Sequence, residues 1–274
     1  MKVILSRKGF DSSFGGCASP IFEDGSVISL PIPEPSARIS FSEVGANGRI
    51  GAIVEDLTGA RKKATDHVHL DPDLDIGSRP RIPGWRPMFG QAEAAQRHLD
   101  NQGVGVGDIF LFFGWFRRVE RHDGKHRFIR GAVDMHMFFG WLEIGAIWRL
   151  PLDAALIPTW ASDHAHVNAA YKRNTIYVAA GNGTTYNGGA FRSYSDHLVL
   201  TKPGERRSRW RLPRWFYPAV GKPALSYHRN VKRWTLSENC ADLQSVGRGQ
   251  EFVLDADDYP EAGDWVKRLI AGTA

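Results

Sequence analysis

The chain has 274 residues, 42% of them hydrophobic, and a formal net charge of +5. A chain of this size buries a real core, and its composition excludes a disordered polymer. No apolar run approaches the roughly 20 residues that span a bilayer, and Cys17 and Cys240 stand far apart with no C-x-x-C pair, so a membrane span, a disulfide framework and a zinc–thiolate site are not expected.

No apolar leader precedes the first strand-like residues, so a cytoplasmic location is expected. Lys2-Val3-Ile4-Leu5 reads as a first strand. It empties into Ser6-Arg7-Lys8-Gly9-Phe10-Asp11-Ser12-Ser13-Phe14-Gly15-Gly16. Glycines let backbone N–H groups approach a ligand closely, Arg7 and Lys8 add charge, and Ser12 and Ser13 add hydroxyl donors. The loop therefore predicts an anion, phosphate above all, held by Arg7, Lys8, Ser12, Ser13 and the Gly15-Gly16 backbone. Asp11 is placed to take a proton or orient a hydroxyl. The same residues also suit a tight polar turn.

Residues 27–32 and 49–54 look like strands, separated by the proline run 31–35 and the turn Gly45-Ala46-Asn47-Gly48. Residues 71–90 hold Pro72, Pro80, Pro83 and Pro87 and read as an irregular surface segment. Residues 91–101 form the first convincing helix, striped by Ala92, Ala95 and Leu99 and stopped at Gly103. Residues 109–116 are a long buried strand. A charged hairpin tip follows at 117–125 with Asp123-Gly124 as its turn, then 128–133 returns and 138–148 is another strand. Glycines inside these strands mark bends. Residues 175–180 and 197–201 read as further strands around the glycine- and asparagine-rich loop 181–189. Residues 261–270 form a short helix with Trp265 and Leu269 on one face. Strands do not alternate with helices of adequate length, so Rossmann and TIM-barrel folds fail. The expectation is one α+β domain over residues 1–274, built mostly of antiparallel or mixed sheet with a few short helices.

Charge is unevenly placed. Residues 202–233 contain ten Lys or Arg and one acid, so this segment carries +9 and the rest of the chain −4. Trp210, Trp215, Phe216, Tyr217 and Tyr227 interleave with the basic residues. Arginine beside aromatic rings suits phosphates and stacked bases, which predicts nucleic-acid backbone contacts at Arg206, Arg207, Arg209, Arg211, Arg214, Lys232 and Arg233. The alternation Ser208-Arg209-Trp210-Arg211-Leu212 equally suits a solvated strand face.

The run Asp66-His67-Val68-His69-Leu70-Asp71-Pro72-Asp73-Leu74-Asp75 packs two histidines and four aspartates into ten residues. In an extended chain His67, His69 and Asp71 point one way. A second H-x-H, His164-Ala165-His166, lies about a hundred residues on. Histidines 67, 69, 164 and 166 together suit zinc, iron or manganese. Without a metal, Asp71 or Asp73 serves as a general base with His69 or His67 as proton shuttle, because neighbouring carboxylates push one pKa upward. The simplest alternative is an Asx-type turn. Gln91 and Gln250, each after a glycine, can read a base edge, and Arg79 with Trp85 can clamp a phosphate or a flipped base. The aromatic run at 110–116 is expected in the core. Motifs of P-loop NTPases, α/β-hydrolases, kinases and zinc deaminases are absent, and no organic cofactor motif is present.

A Gly-Asp turn feeding a continuous apolar strand and a hairpin, around residues 104–150, resembles the PUA-like barrels, including EVE and ASCH domains. A longer resemblance is carried by Ser6-Arg7-Lys8-Gly9-Phe10-Asp11-Ser12, His69-Leu70-Asp71-Pro72-Asp73-Leu74, Gly107-Asp108-Ile109-Phe110-Leu111-Phe112-Phe113-Gly114-Trp115-Phe116, Phe139-Gly140-Trp141-Leu142 and Gly249-Gln250-Glu251-Phe252-Val253-Leu254. On these motifs the chain resembles the third type of nucleotide modification associated domain over nearly its whole length. The resemblance implies an α+β domain that handles a nucleotide or a base in nucleic acid, in phage or bacterial systems that alter DNA or defend against it. It carries no catalytic assignment.

The leading expectation is thus a domain that binds nucleotide or DNA and catalyses hydrolysis or group transfer, with Asp11, Asp71 or Asp73 as base and a divalent metal as an option. The alternatives are a non-catalytic reader of modified bases and a metal-dependent phosphoesterase. The sequence names no protein partner.

Overall fold

The computed structural model describes residues 1–45, 48–181, 183–219 and 221–272. Ala46 and Asn47 of the expected 45–48 turn, Asn182 of the 181–189 loop and Val220 of the basic segment lie outside the described residues. The first strands are β1 (Lys2–Arg7), β2 (Ser19–Ile21), β3 (Ile32–Pro33), β4 (Ile39–Ser40), β5 (His67–His69) and β6 (Met88–Ala92). The long hairpin is β7 (Ile109–His122), β8 (Lys125–Phe128) and β9 (Met135–Leu150). After it come β10 (Asn174–Ala179), β11 (Gly188–Ala190), β12 (Arg209–Pro213), β13 (Trp234–Leu236), β14 (Cys240–Gln244) and β15 (Glu251–Asp255). The α-helices are α1 (Arg49–Thr58), α2 (Glu93–Asn101) and α3 (Glu261–Ala271).

The large sheet runs β15-β1-β7-β9-β10-β6 and curls into a half-barrel. Within it β1 and β7 are parallel, Val3 facing Ile109, and the other neighbours along this path are antiparallel. This is the α+β, mostly mixed-sheet architecture expected. Ile109 to Phe113 are all fully buried because β7 is a central strand covered on both faces. Phe89 on β6 meets Phe110 and Phe112 at 4.9 and 5.1 Å between ring centroids, which packs the inside of the curl. Small sheets β12-β14-β13 and β3-β5-β4 flank the large one. The Asp123-Gly124 turn sits where the sequence places it, between β7 and β8.

Several expectations are corrected. The hairpin tip is shorter than 117–125, since β7 continues to His122 and β8 is Lys125–Phe128, which leaves residues 129–133 outside any strand. Residues 49–54 begin helix α1 and form no strand. Ile50, Ile53, Val54 and Leu57 are buried at i, i+3, i+4 and i+7, a period that shows only in a window reaching past Val54. Residues 197–201 form no strand either: Asp196–Leu198 is a 3₁₀ turn, pinned by Ser195 Oγ against His197 Nδ1 at 2.6 Å. Residues 27–32 pair only at Val27 and at the start of β3. The proline-rich stretch does not end as a surface segment, since its last residues are the buried strand β6, and α2 starts at Glu93, leaving Gln91 on the strand. Phe89 has a place among the core rings, and that burial overrides the proline signal before it.

Candidate active site

A cavity of about 810 Å³ opens at the C-terminal end of β1. The loop after β1 forms one wall, and Asp71, Gly90 and His166 form another. The loop is self-capped. Asp11 Oδ1 accepts from the backbone N–H groups of Ser13 and Phe14, both at 2.7 Å, so a carboxylate already occupies the place where the loop offers donors. Gly15 has φ +88°, and a Cβ there would lie 2.2 Å from the Phe10 ring, so this glycine serves the return of the loop over Phe10. Gly15 and Gly16 lie behind the cavity, whereas Ser12, Ser13 and the half-exposed Phe14 line it.

Positive charge gathers at one side. Arg7 donates to the carbonyls of Val246 and Gly247 at 2.8 and 2.9 Å. Burial lowers its pKa, Asp11 raises it and Arg207 lowers it again, so two guanidinium groups share this space. Arg207 lies over the Trp115 ring at 4.1 Å. His136 next to them is held to about 3, first by burial and then by Arg7 and Arg207. Lys8 is already paired: its ammonium lies 2.9 Å from the buried Glu251 Oε1 and 3.3 Å from Gln250 Oε1. Ser6 Oγ and Gln91 Nε2 donate to the same Glu251 oxygen at 3.1 and 2.6 Å.

The other side is a histidine–aspartate cluster. Strand β5 ends at His69, and the next turn, with Asp71 N–H on the His69 carbonyl at 3.0 Å, puts Asp71 beside it. His69 Nε2 and His166 Nε2 face Asp71 Oδ2 at 3.7 and 3.6 Å. His164 Nε2 faces Oδ1 at 3.4 Å, and the Gly90 N–H donates to Oδ1 at 2.7 Å. Burial works to raise the Asp71 pKa, but the imidazoles of His164, His69 and His166 gathered around the carboxylate outweigh it and hold it well below its usual range. His166 is pushed down to about 4, chiefly by burial, with Asp71 opposing. Gly90 has a geometric reason as well: a Cβ there would fall 2.2 Å from the His166 ring.

The remaining sequence candidates lie elsewhere. His67 turns to the Pro35 carbonyl at 3.3 Å, away from the cluster, because β5 ends before the alternation can include Asp71. Asp73 is held bidentately by Arg81 at 2.7 and 2.5 Å. Its pKa is raised, but by burial and against the pull of Arg81, with no contribution from Asp71. Arg79 pairs with Asp163 at 3.3 Å outside this cavity, and Trp85 is buried beneath Arg81. In the basic segment, Arg211 and Lys202 share Asp242, Arg209 donates to Thr235, Arg214 to the Ser237 and Glu238 carbonyls, and Arg233 to the Gln244 carbonyl. Arg206 and Lys232 point to solvent.

Gln250 lines the cavity, while the Gln91 amide is spent on Glu251 and on the Ala92 N–H. Sequence reasoning missed Glu251, Asn174, His136 and Tyr171. Glu251 carried a signal, a polar residue opening an apolar strand run; Asn174 carried none.

No curated protein and no solved structure matches the chain. A family model, nucleotide modification associated domain 3, matches residues 2–255 and so spans the loop, the cluster and Glu251. The chain belongs to the nucleotide modification associated domain 3 family.

Proposed function

We propose that this domain takes a nucleotide, or a base presented on nucleic acid, into the cavity and catalyses hydrolysis or group transfer there, within a DNA modification or defence system. The observation that carries this reading is the division of charge within one cavity. Burial first and the nearby Arg207 second lower the Arg7 pKa, and an anionic phosphate between the two guanidinium groups would relieve their repulsion. The ionised Asp71 and its histidines sit on the same cavity wall as Gly90 and Gln91, where the reacting part of the ligand would lie. A volume of about 810 Å³ is within the range of about 300–1,000 Å³ usual for ligand pockets. Phe14 and Tyr171 offer exposed rings for a base to stack on.

Of the three acids expected as general base, Asp71 is the one that faces the ligand, since Asp11 caps its own loop and Asp73 is tied to Arg81; held ionised, it acts by orienting the imidazole beside it. His69, partly exposed beside Asp71, is the proton shuttle. Membership of the family supports the nucleotide as the substrate class.

The test measures binding of nucleoside monophosphates, short single strands and duplex DNA at two salt concentrations, with mass spectrometry of the recovered ligand. Mononucleotide binding with a shallow salt slope, and a mass change lost in Asp71→Asn while binding persists, is the expected result. Absence of mononucleotide binding in the folded wild type would overturn the reading. Binding without any mass change would leave a reader of modified bases in place of an enzyme.

A further inference from the structure

We propose that His69 Nε2, Asp71 Oδ2 and His166 Nε2 form a three-ligand site for a divalent first-row transition metal ion, with its remaining position open to the cavity. The inference rests on the cavity reading above and changes two of its roles: with an ion bound, His69 and Asp71 serve as its ligands and no longer as proton shuttle and orienting carboxylate. The three atoms lie within 4.8 Å of one another. The two nitrogens stand 3.7 and 3.6 Å from the oxygen, beyond the range of about 2.7–3.2 Å for N–H···O hydrogen bonds. Metal–ligand bonds of about 2.0–2.2 Å in a tetrahedron place neighbouring ligands about 3.3–3.6 Å apart. The two nitrogen–oxygen spacings lie close to those of ligands around an ion and are too wide for a proton shared between them.

The surrounding groups set the lone pairs. Asn174 Nδ2 donates to the His166 carbonyl at 2.8 Å, which leaves Asn174 Oδ1 to accept from His166 Nδ1–H at 2.7 Å. That hydrogen bond puts the free lone pair of His166 on Nε2, facing Asp71. His164 works in the opposite sense. Its Nδ1 accepts from the His166 N–H at 3.3 Å, so Nε2 carries the proton and points at Asp71 Oδ1. This Nε2 is wholly buried and makes no hydrogen bond, an unpartnered donor aimed into the cluster. The Gly90 N–H donates to the same oxygen, so both protein donors are directed at Oδ1 and Oδ2 is the oxygen presented to the ion.

Two imidazoles and one carboxylate select transition ions over magnesium or calcium, which prefer oxygen. His67, included with the sequence-derived ligands, is replaced by Asp71. An ion held by three protein ligands keeps a position for water or substrate.

The experiment uses the full chain. Metal is removed with chelator, and cobalt(II) is titrated back with the visible absorption recorded, then displaced by zinc and challenged with magnesium. One ion per chain, a visible band and no displacement by magnesium are expected. His166→Ala should weaken binding by more than about 100-fold, Asn174→Ala by about 10–100-fold, and His67→Ala not measurably. Circular dichroism confirms that each variant is folded, and His69→Ala replaces His166→Ala should the latter unfold. A folded wild type that binds no cobalt or zinc overturns the site, as does binding that survives both His166→Ala and His69→Ala. Nucleotide binding without metal removes this inference alone, and metal binding without nucleotide removes the reading on which it rests.

Discussion

Gln91 donates its side-chain N–H to Glu251 Oε1 at 2.6 Å and so ties β6 to β15, the two ends of the large sheet's strand path. Lys8, just past the end of β1, the strand next to β15, pairs with the same carboxylate at 2.9 Å. The curl of the sheet and the floor of the cavity thus share one buried carboxylate.

Glu251→Ala should therefore destabilise the fold. It leaves the Lys8 ammonium nearly buried and without a counter-charge, a change worth about 3–5 kcal/mol. Glu251→Gln keeps an acceptor for Gln91 and should be the milder variant. Urea denaturation reads both, and a loss below about 1 kcal/mol for Glu251→Ala would show that the network is not what closes the curl.

Gly90→Ala should disturb one ring. The added methyl has no room beside His166, and overpacking of this kind costs about 1–3 kcal/mol. The expected signature is a lowered melting temperature together with a shifted His166 resonance in NMR spectra. An unchanged His166 signal would mean that the backbone of β6 yields instead.

Arg207→Ala should weaken nucleoside monophosphate binding by about 10- to 150-fold, since a charge-assisted hydrogen bond contributes about 1.5–3 kcal/mol. Arg211→Ala, Arg214→Ala and Arg233→Ala should leave it unchanged, because those guanidinium groups are bonded to the small sheet and its neighbours. Calorimetric titration separates the two groups. Equal losses across all four would restore the broad basic face suggested by the sequence.

Stability should fall in acid. His136 is held to about 3 and His228 to about 4, in both cases first by burial, whereas the unfolded chain protonates histidine near pH 6.5. Between those values the unfolded state binds more protons than the folded one, so stability is full above about pH 6.5 and declines as pH drops toward 4. Each histidine contributes a slope of up to about 1.4 kcal/mol per pH unit. His136→Gln keeps an acceptor for the Trp210 N–H, now at 3.0 Å, and should flatten the decline. Denaturation midpoints measured across this range check it, and a level wild-type profile would contradict it.

The sequence by itself determined the two long strands β7 and β9 in outline, the Asp123-Gly124 turn, helix α3 and the mixed-sheet α+β class. Those signals are local: apolar runs, turn dipeptides and a helical stripe act within a window of a dozen residues. It also brought forward most of the cavity's polar side chains, Arg7, Lys8, Ser12, Ser13, His69, Asp71, His166, Arg207 and Gln250 among them, because polar chemistry in loops stands out against apolar strands.

Only the tertiary structure decided which of these meet. That His69 and Asp71 are joined by His166 and not by His67 follows from where β5 stops and where the chain returns before β10. That Lys202 and Arg211 are spent on Asp242, and Arg209, Arg214 and Arg233 on hydrogen bonds to Thr235, Ser237 and Gln244, follows from partners distant in sequence, Asp242 lying some thirty residues beyond Arg211. Gly90 looked like a spacer before Gln91, and its reason is a ring seventy-six residues away. A side chain's role is set by the groups packed against it, and pairings between distant segments leave no periodic trace in the chain.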